Sequence, residues 1–101
     1  MADSLSFDLK GRVVIITGAG RGIGKSVALA CAAAGADVAL GSRHPGECEK
    51  VAVECRSLGV HASSGMLDVS ELDSIRAFLN AVLAEFGRVE PFLGTVKAEF
   101  F

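Results

Sequence analysis

A short β-branched run followed directly by closely spaced glycines constrains the fold of this chain more than any other feature. The run Val13 to Thr17 is apolar at nearly every position, which is typical of a strand buried on both faces of a parallel sheet. Gly18 to Gly24 then break the apolar pattern. Lys25 to Ala34 follows with apolar residues at helical spacing and is closed by Gly35. The sequence therefore predicts a strand, a glycine-rich loop and a helix, in that order.

Two further pairs of a strand and a helix are predicted after this unit. The run Asp37 to Leu40 predicts a second strand, and Pro45 suits the first turn of a helix that we expect to continue to about Leu58. A weaker strand pattern covers Val60 to Leu67, and Ser70 to Asp73 has the form of a capping box that opens a third helix. Strands that alternate with helices in this way predict right-handed crossovers and a parallel sheet. The predicted packed face of the third helix consists of Leu72, Ile75, Leu79, Val82 and Phe86.

The glycine-rich loop has the composition of a site for a phosphorylated ligand. Glycines permit a tight turn between strand and helix and let a pyrophosphate approach the backbone. The start of the helix adds unpaired N–H groups and a partial positive charge. Thr17 to Gly24 fit the pattern T-G-x-x-x-G-x-G and not G-x-G-x-x-G, because the sixth position counted from Gly18 is Ile23. The candidate binding residues in this loop are Gly18, Gly20, Arg21, Gly22, Ile23 and Gly24.

The same pattern, with Ser42-Arg43 after the second strand and Asp68-Val69 after the third, resembles the nucleotide-binding half of the short-chain dehydrogenase/reductase family. The resemblance implies an α/β fold with a Rossmann-type three-layer parallel sheet, of which this chain would hold the first half, β-α-β-α-β-α. It also implies hydride transfer between a nicotinamide and a carbonyl or alcohol. By the same resemblance, Asp68 would accept a hydrogen bond from the adenine amino group and Val69 would pack beside the ring. The opening Phe7 to Arg12 is similar to the 3-oxoacyl carrier-protein reductase and sugar-alcohol dehydrogenase branches.

Charges after the second strand favour NADP(H) over NAD(H) as the cofactor. A carboxylate about 20 residues beyond the glycines would bind the ribose hydroxyls of NAD and repel a 2′-phosphate. This chain has Ser42 there, with Arg43 next to it and Arg21 inside the loop. A 2′-phosphate is thus expected to meet two cations and no acid. The alternative is that both arginines are ordinary solvated surface charges.

The resemblance covers about residues 9–89, whereas the tail, residues 90–101, departs from the family pattern. The family's chemistry uses a tyrosine, a lysine four residues later and a serine. The sequence contains no tyrosine, and its only asparagine, Asn80, lies in the third helix. We therefore expect one truncated dinucleotide-binding domain over residues 1–101, without catalytic residues or a metal site, and inactive by itself. The first strand would be an exposed edge, with Phe92 to Val96 as a weak candidate to cover it.

Two other functions remain as alternatives. An open edge would permit self-association or pairing with a full-length relative, which makes a non-catalytic nucleotide-binding or interaction module the second hypothesis. The third is a P-loop nucleotide hydrolase, because Ala19 to Ser26 fits a relaxed P-loop pattern in which Lys25 would contact phosphates. The residues before Asp68 are too polar for the metal-binding strand that such an enzyme needs.

Charge and hydropathy exclude several partners. A net charge of -2 lacks the basic surface that nucleic acids require. The three cysteines show no C-x-x-C spacing and are expected to be reduced thiols packed in helices. The sequence has no signal peptide pattern and no apolar run of membrane-spanning length, so we expect a cytoplasmic protein without membrane contact.

Overall fold

Strands and helices alternate along the chain in the computed structural model, which describes residues 8–87 and 97–98. The four strands form one parallel sheet in the order β3-β2-β1-β4. This confirms the predicted Rossmann-type β-α-β-α-β-α succession. No helix in the described ranges has both the length and the apolar character needed to cross a bilayer. The elements are β1 (Val13–Thr17), α1 (Gly22–Ala33), β2 (Asp37–Ser42), α2 (Pro45–Arg56), β3 (Ala62–Met66), α3 (Leu72–Phe86) and β4 (Lys97–Ala98).

Strand β1 contributes side chains to two separate cores. All five of its residues are buried, and its register with β2 runs from Val13 opposite Asp37 to Thr17 opposite Gly41. Because side chains alternate along a strand, neighbouring residues of β1 face different layers. Helices α1 and α2 cover the face that carries Val14, Ile16, Val38 and Leu40. Helix α3 covers the face that carries Val13, Ile15 and Ala39.

Strand β4 corrects the expectation that β1 is an uncovered edge. Ile15 and Ile16 pair in parallel with Lys97 and Ala98, on the side of β1 that faces away from β2. At these two positions the expectation is wrong, because the backbone of the tail supplies a neighbouring strand. The candidate strand at Phe92 to Val96 lies outside the described residues.

Helix α1 packs against the sheet through its smallest side chains. Its buried positions are Gly24, Ala28 and Ala32. The larger residues Val27 and Cys31 are half-buried beside this face. Since glycine and alanine add little bulk between the helix and the strands, α1 lies close to the sheet, and its first turn is brought against the loop that follows β1.

The end of α2 and the packed face of α3 differ from the predicted ones. Helix α2 ends at Arg56, before the predicted end at about Leu58, which is 50% exposed. In α3, Phe78 is buried, while the predicted core residues Leu72 and Leu79 are 59% and 39% exposed. A Cβ on Gly41 would lie 2.9 Å from Cε1 of Phe78, so this glycine leaves the space that the ring occupies. The α3 face is therefore centred on Phe78.

Candidate functional site

The glycine-rich loop lies across the carboxyl ends of β1 and β2. The N–H of Gly18 donates a hydrogen bond to the carbonyl of Gly41 over 2.8 Å, which ties the loop to the end of β2. Gly18 and Gly22 have φ angles of +64° and +60°, a region that residues with a side chain rarely adopt. The glycines at these two positions are therefore required by the backbone path itself.

The first turn of α1 presents backbone donors that lack acceptors. Within residues 8–87 and 97–98, the N–H groups of Gly22, Ile23 and Gly24 make no hydrogen bond, and Lys25 is the first residue of the turn whose N–H donates, to Arg21 over 3.3 Å. Arg21, at the N-cap, makes no side-chain capping bond, and the first turn holds no acidic residue. Unpaired amides at the positive end of a helix dipole favour an anion.

Close backbone packing fixes the position of these amides. A Cβ on Gly24 would lie 2.8 Å from the carbonyl carbon of Gly18 and 3.1 Å from Cα of Ala19. A Cβ on Gly20 would lie 2.8 Å from Cβ of Glu47, in the first turn of α2. The loop is thus held between α1 and α2, with no room for side chains at either glycine.

Ser42, the last residue of β2, is oriented by two donors. Its hydroxyl oxygen accepts hydrogen bonds from the N–H of His44 at 2.9 Å and from the thiol of Cys48 at 3.2 Å. With its oxygen engaged as an acceptor, the hydroxyl keeps its own proton to donate to a ligand. Ser42 therefore occupies the place expected from the sequence, with a donor available.

Cys48 joins the glycine loop to the end of β2. Its side chain is fully buried, in the same core as Ala19 of the loop. Burial is the main cause that raises the pKa of this thiol, so it remains protonated and can donate to Ser42. Helix packing alone was expected of Cys48, because no pattern in the sequence reveals its contact with Ser42.

Arg21 and Arg43 both border the site, but Arg21 has an acidic partner. Its Nε lies 3.7 Å from Oε1 of Glu47, with side chains that are 77% and 43% exposed. The expectation of two cations and no acid is therefore wrong. Glu47 is distant in sequence from the glycine loop and is brought beside it by the packing of α2 against α1. Arg43 is exposed, and its charge is one of the causes that lower the pKa of Asp68.

Asp68 follows β3 and is held in a local hydrogen-bond network. Its Oδ1 accepts hydrogen bonds from the hydroxyl of Ser70 at 2.6 Å and from the N–H of Ser70 at 3.0 Å. These two bonds are the main causes that lower the pKa of Asp68, so its carboxyl group is ionised at neutral pH. Ser70 is thereby engaged with Asp68, and the predicted capping box does not form: the N-cap of α3 is Glu71, without a side-chain capping bond.

The two apolar residues predicted at the site are both accessible to a ligand. Ile23, in the first turn of α1, is 62% exposed, and Val69, next to Asp68, is 50% exposed. Half or more of each residue is therefore open to solvent. They offer apolar surface at the same edge of the sheet as the glycine loop.

The contacts of Lys25 argue against a P-loop arrangement. Its Nζ pairs with Oε2 of Glu54 on α2 at 3.5 Å. Asp68 follows β3, which β2 separates from β1 in the sheet. Among the residues that the structure describes, no group of three or more His, Cys, Asp or Glu side chains could hold a metal ion. The lysine and the carboxylate are thus not brought together as a Mg-nucleotide site requires.

Comparisons with known proteins agree with this geometry. Residues 12–94 match the family model described as short chain dehydrogenase. The NADP-dependent mannitol dehydrogenase of Hypocrea jecorina is 37% identical over 97 residues, which are 91% of this chain and 36% of that protein. The crystal structure of a short-chain type dehydrogenase/reductase from Mycobacterium marinum matches with a TM-score of 0.78 and 43% identity, over 83% of this chain and 33% of that one.

A third relative was solved with a dinucleotide. The 3-ketoacyl-(acyl-carrier-protein) reductase from Brucella melitensis, complexed with NADH, matches with a TM-score of 0.74 and 36% identity, over 81% of this chain and 32% of that one. The chain spans about a third of the length of these relatives. The match of the family model across most of the chain, on the fold and the loop described above, shows that the chain belongs to the short-chain dehydrogenase/reductase family.

Proposed function

We propose that this chain binds a nicotinamide dinucleotide, with preference for NADP(H), as the cofactor-binding part of an oxidoreductase that acts on carbonyls or alcohols. The observation that carries the proposal is the set of unpaired N–H groups at Gly22, Ile23 and Gly24, beside a loop that has no room for side chains. Such a cradle fits a diphosphate, because the ligand can approach the backbone closely and its charge meets the positive end of α1.

The remaining site residues fit the other parts of the cofactor. The ionised carboxylate of Asp68 would accept a hydrogen bond from the adenine amino group, and Val69 would offer apolar surface beside the ring. Ile23 would shield the diphosphate from water. When bound, the cofactor supplies the hydride donor or acceptor of the family's reaction.

The preference for NADP(H) rests on the groups that surround the end of β2. Ser42 has a hydroxyl proton to donate, and Arg43 is exposed next to it, where an NAD-binding site would carry a carboxylate. Arg21 adds a second cation, offset in part by Glu47. One relative is named as NADP-dependent and another was solved with NADH, so the charges of this chain itself are the ground for the preference.

We expect no hydride transfer from the 101 residues alone. The family's proton transfer uses a tyrosine, and this sequence has none. The bound dinucleotide would therefore remain unreacted when a carbonyl substrate is added. Absorbance at 340 nm checks this expectation, and steady oxidation of NADPH by the purified chain would contradict it.

Calorimetric titration with NADPH, NADH and Mg-ATP tests the binding proposal. We expect NADPH to bind more tightly than NADH, and Mg-ATP not to compete. Arg43→Asp should weaken the binding of NADPH about tenfold to a hundredfold and the binding of NADH much less, because a hydrogen bond to a charged group is worth about 1.5–3 kcal/mol and every 1.4 kcal/mol is about a factor of ten. Arg76→Asp, an exposed site on α3, is the matched control and should change neither affinity.

Two results would contradict the proposal. If Arg43→Asp weakened the binding of NADPH and NADH equally, Arg43 would not distinguish the 2′-phosphate. A folded sample with no affinity for either dinucleotide would overturn the binding function altogether.

A further inference from the structure

The ion pair between Arg21 and Glu47 joins the N-cap of α1 to the first turn of α2. Arg21 is the more exposed partner, with 77% of its side chain accessible against 43% for Glu47. Cβ of Glu47 lies against the loop, 2.8 Å from the position that a Cβ on Gly20 would take. The carboxylate is thus held beside the loop by the packing of α2, while the guanidinium can turn towards solvent or towards a ligand.

Glu47 has a favourable place in the fold that does not depend on Arg21. It lies in the first turn of α2, where a negative charge stabilises the positive end of the helix dipole. Its backbone N–H donates to the carbonyl of His44 at 3.0 Å as part of that turn. A ligand that attracts Arg21 would therefore leave Glu47 in position, close to the charge that the ligand brings.

We infer that Glu47 is a specificity-determining residue that weakens the binding of the 2′-phosphate by competing for Arg21, so that the chain discriminates less between NADP(H) and NAD(H) than its two arginines would allow. This inference rests on the proposed binding of a nicotinamide dinucleotide. A phosphate dianion that reaches Arg21 must displace the carboxylate and then sits near its negative charge. NAD(H) has a hydroxyl in place of the 2′-phosphate, so its binding neither displaces the carboxylate nor brings a second negative charge near it.

Glu47→Gln tests the inference, because it removes the charge and keeps the side-chain length that packs against Gly20. Exposed ion pairs change affinity by modest factors, and the loss of repulsion adds to them, so we expect NADPH to bind about threefold to tenfold more tightly. The affinity for NADH should change by less than about twofold. Calorimetry with both dinucleotides, after the unfolding midpoint in urea has shown that the variant is folded, provides the measurement.

Glu54→Gln is the matched control. It removes the same charge from the same helix, and it breaks a similar pair across the two helices, that of Lys25 with Glu54 at 3.5 Å. We expect it to change the ratio of NADPH to NADH affinity by less than about twofold. In an Arg21→Gln background, Glu47→Gln should lose most of its effect on NADPH, because the cation for which the two anions compete is gone.

Three outcomes with the variants would overturn the inference. Weaker binding of NADH in Glu47→Gln would mean that the carboxylate accepts hydrogen bonds from the ribose hydroxyls. An equal gain in Glu54→Gln would mean that net charge alone is responsible. An unchanged ratio in Glu47→Gln, with the native chain still preferring NADPH, would refute the role of Glu47 while the proposed function stands. If the native chain binds neither dinucleotide, both fail together, and that titration is done first.

Discussion

Replacing Gly24 with alanine tests whether close backbone packing positions the first turn of α1. The added Cβ would lie 2.8 Å from the carbonyl carbon of Gly18 and 3.1 Å from Cα of Ala19. Both are backbone atoms, and Gly18 is tied to Gly41 by a hydrogen bond of 2.8 Å. The methyl group can therefore be accommodated only if the loop or the helix moves.

The magnitude follows from two opposing effects. Overpacking in a dense region costs about 1–3 kcal/mol, and backbone neighbours put this site near the upper end. Alanine regains about 1 kcal/mol of helix propensity relative to glycine. We expect Gly24→Ala to lower the free energy of unfolding by about 2 kcal/mol. Gly46→Ala, in the first turn of α2 with no atom within 4 Å of its added Cβ, should raise it by about 0.5 kcal/mol.

Urea unfolding followed by circular dichroism measures both variants, since the chain has no tryptophan or tyrosine for fluorescence. With a slope near 1 kcal/mol per M, which is usual for small proteins, the midpoint of Gly24→Ala should fall by about 2 M. If Gly24→Ala failed to fold, that result would also indicate a loss of stability. A midpoint for Gly24→Ala equal to that of Gly46→Ala would refute the steric argument.

Two further predictions concern stability away from the loop. Hydrogen bonds from Arg56 and Ser64 lower the pKa of Glu49 from its ordinary value of 4.5, so its stabilising contribution is complete at neutral pH and is lost as the pH falls below that value. Glu49→Gln should reduce the acid-induced loss of stability by less than about 1 kcal/mol, and an unchanged profile between pH 7 and pH 3 would contradict this. Cys48→Ala should lower the free energy of unfolding by about 1–2 kcal/mol, because the thiol is fully buried and hydrogen-bonded to Ser42. Cys31→Ala should lower it less, because Cys31 is half-buried. Equal urea midpoints for the two variants would show that the buried contact is unimportant.

The strands and the glycine loop could be predicted from the sequence because their signals are local. The β-branched run gives the bounds of β1, and the glycines follow it at the positions that need left-handed backbone, as at Gly18 and Gly22. The helix faces were predicted less well. Phe78 is buried where Leu79 was an expected core residue, because Gly41 lies in another element and leaves the space for the ring.

The site residues that follow from local sequence patterns were predicted, and those that depend on packing between distant elements were missed. Ser42 is the last residue of β2 and Asp68 follows β3, as the pattern of strands predicted. Glu47 and Cys48 were missed because their contacts depend on how α2 packs against the loop. A carboxylate in the first turn of a helix is ordinarily explained by the helix dipole, and only its distance from Arg21 reveals the ion pair.

Strand β1 belongs to both cores, with Ile16 in the layer of α1 and α2 and Ile15 in the layer of α3. Opening of either layer therefore exposes one face of the same five residues, which couples the two layers in unfolding. A ligand bound to the loop after β1 therefore contacts the segment that follows the strand shared by both cores. Occupancy of that loop should accordingly slow amide exchange in α3 as well as in α1, although α3 lies on the far side of the sheet.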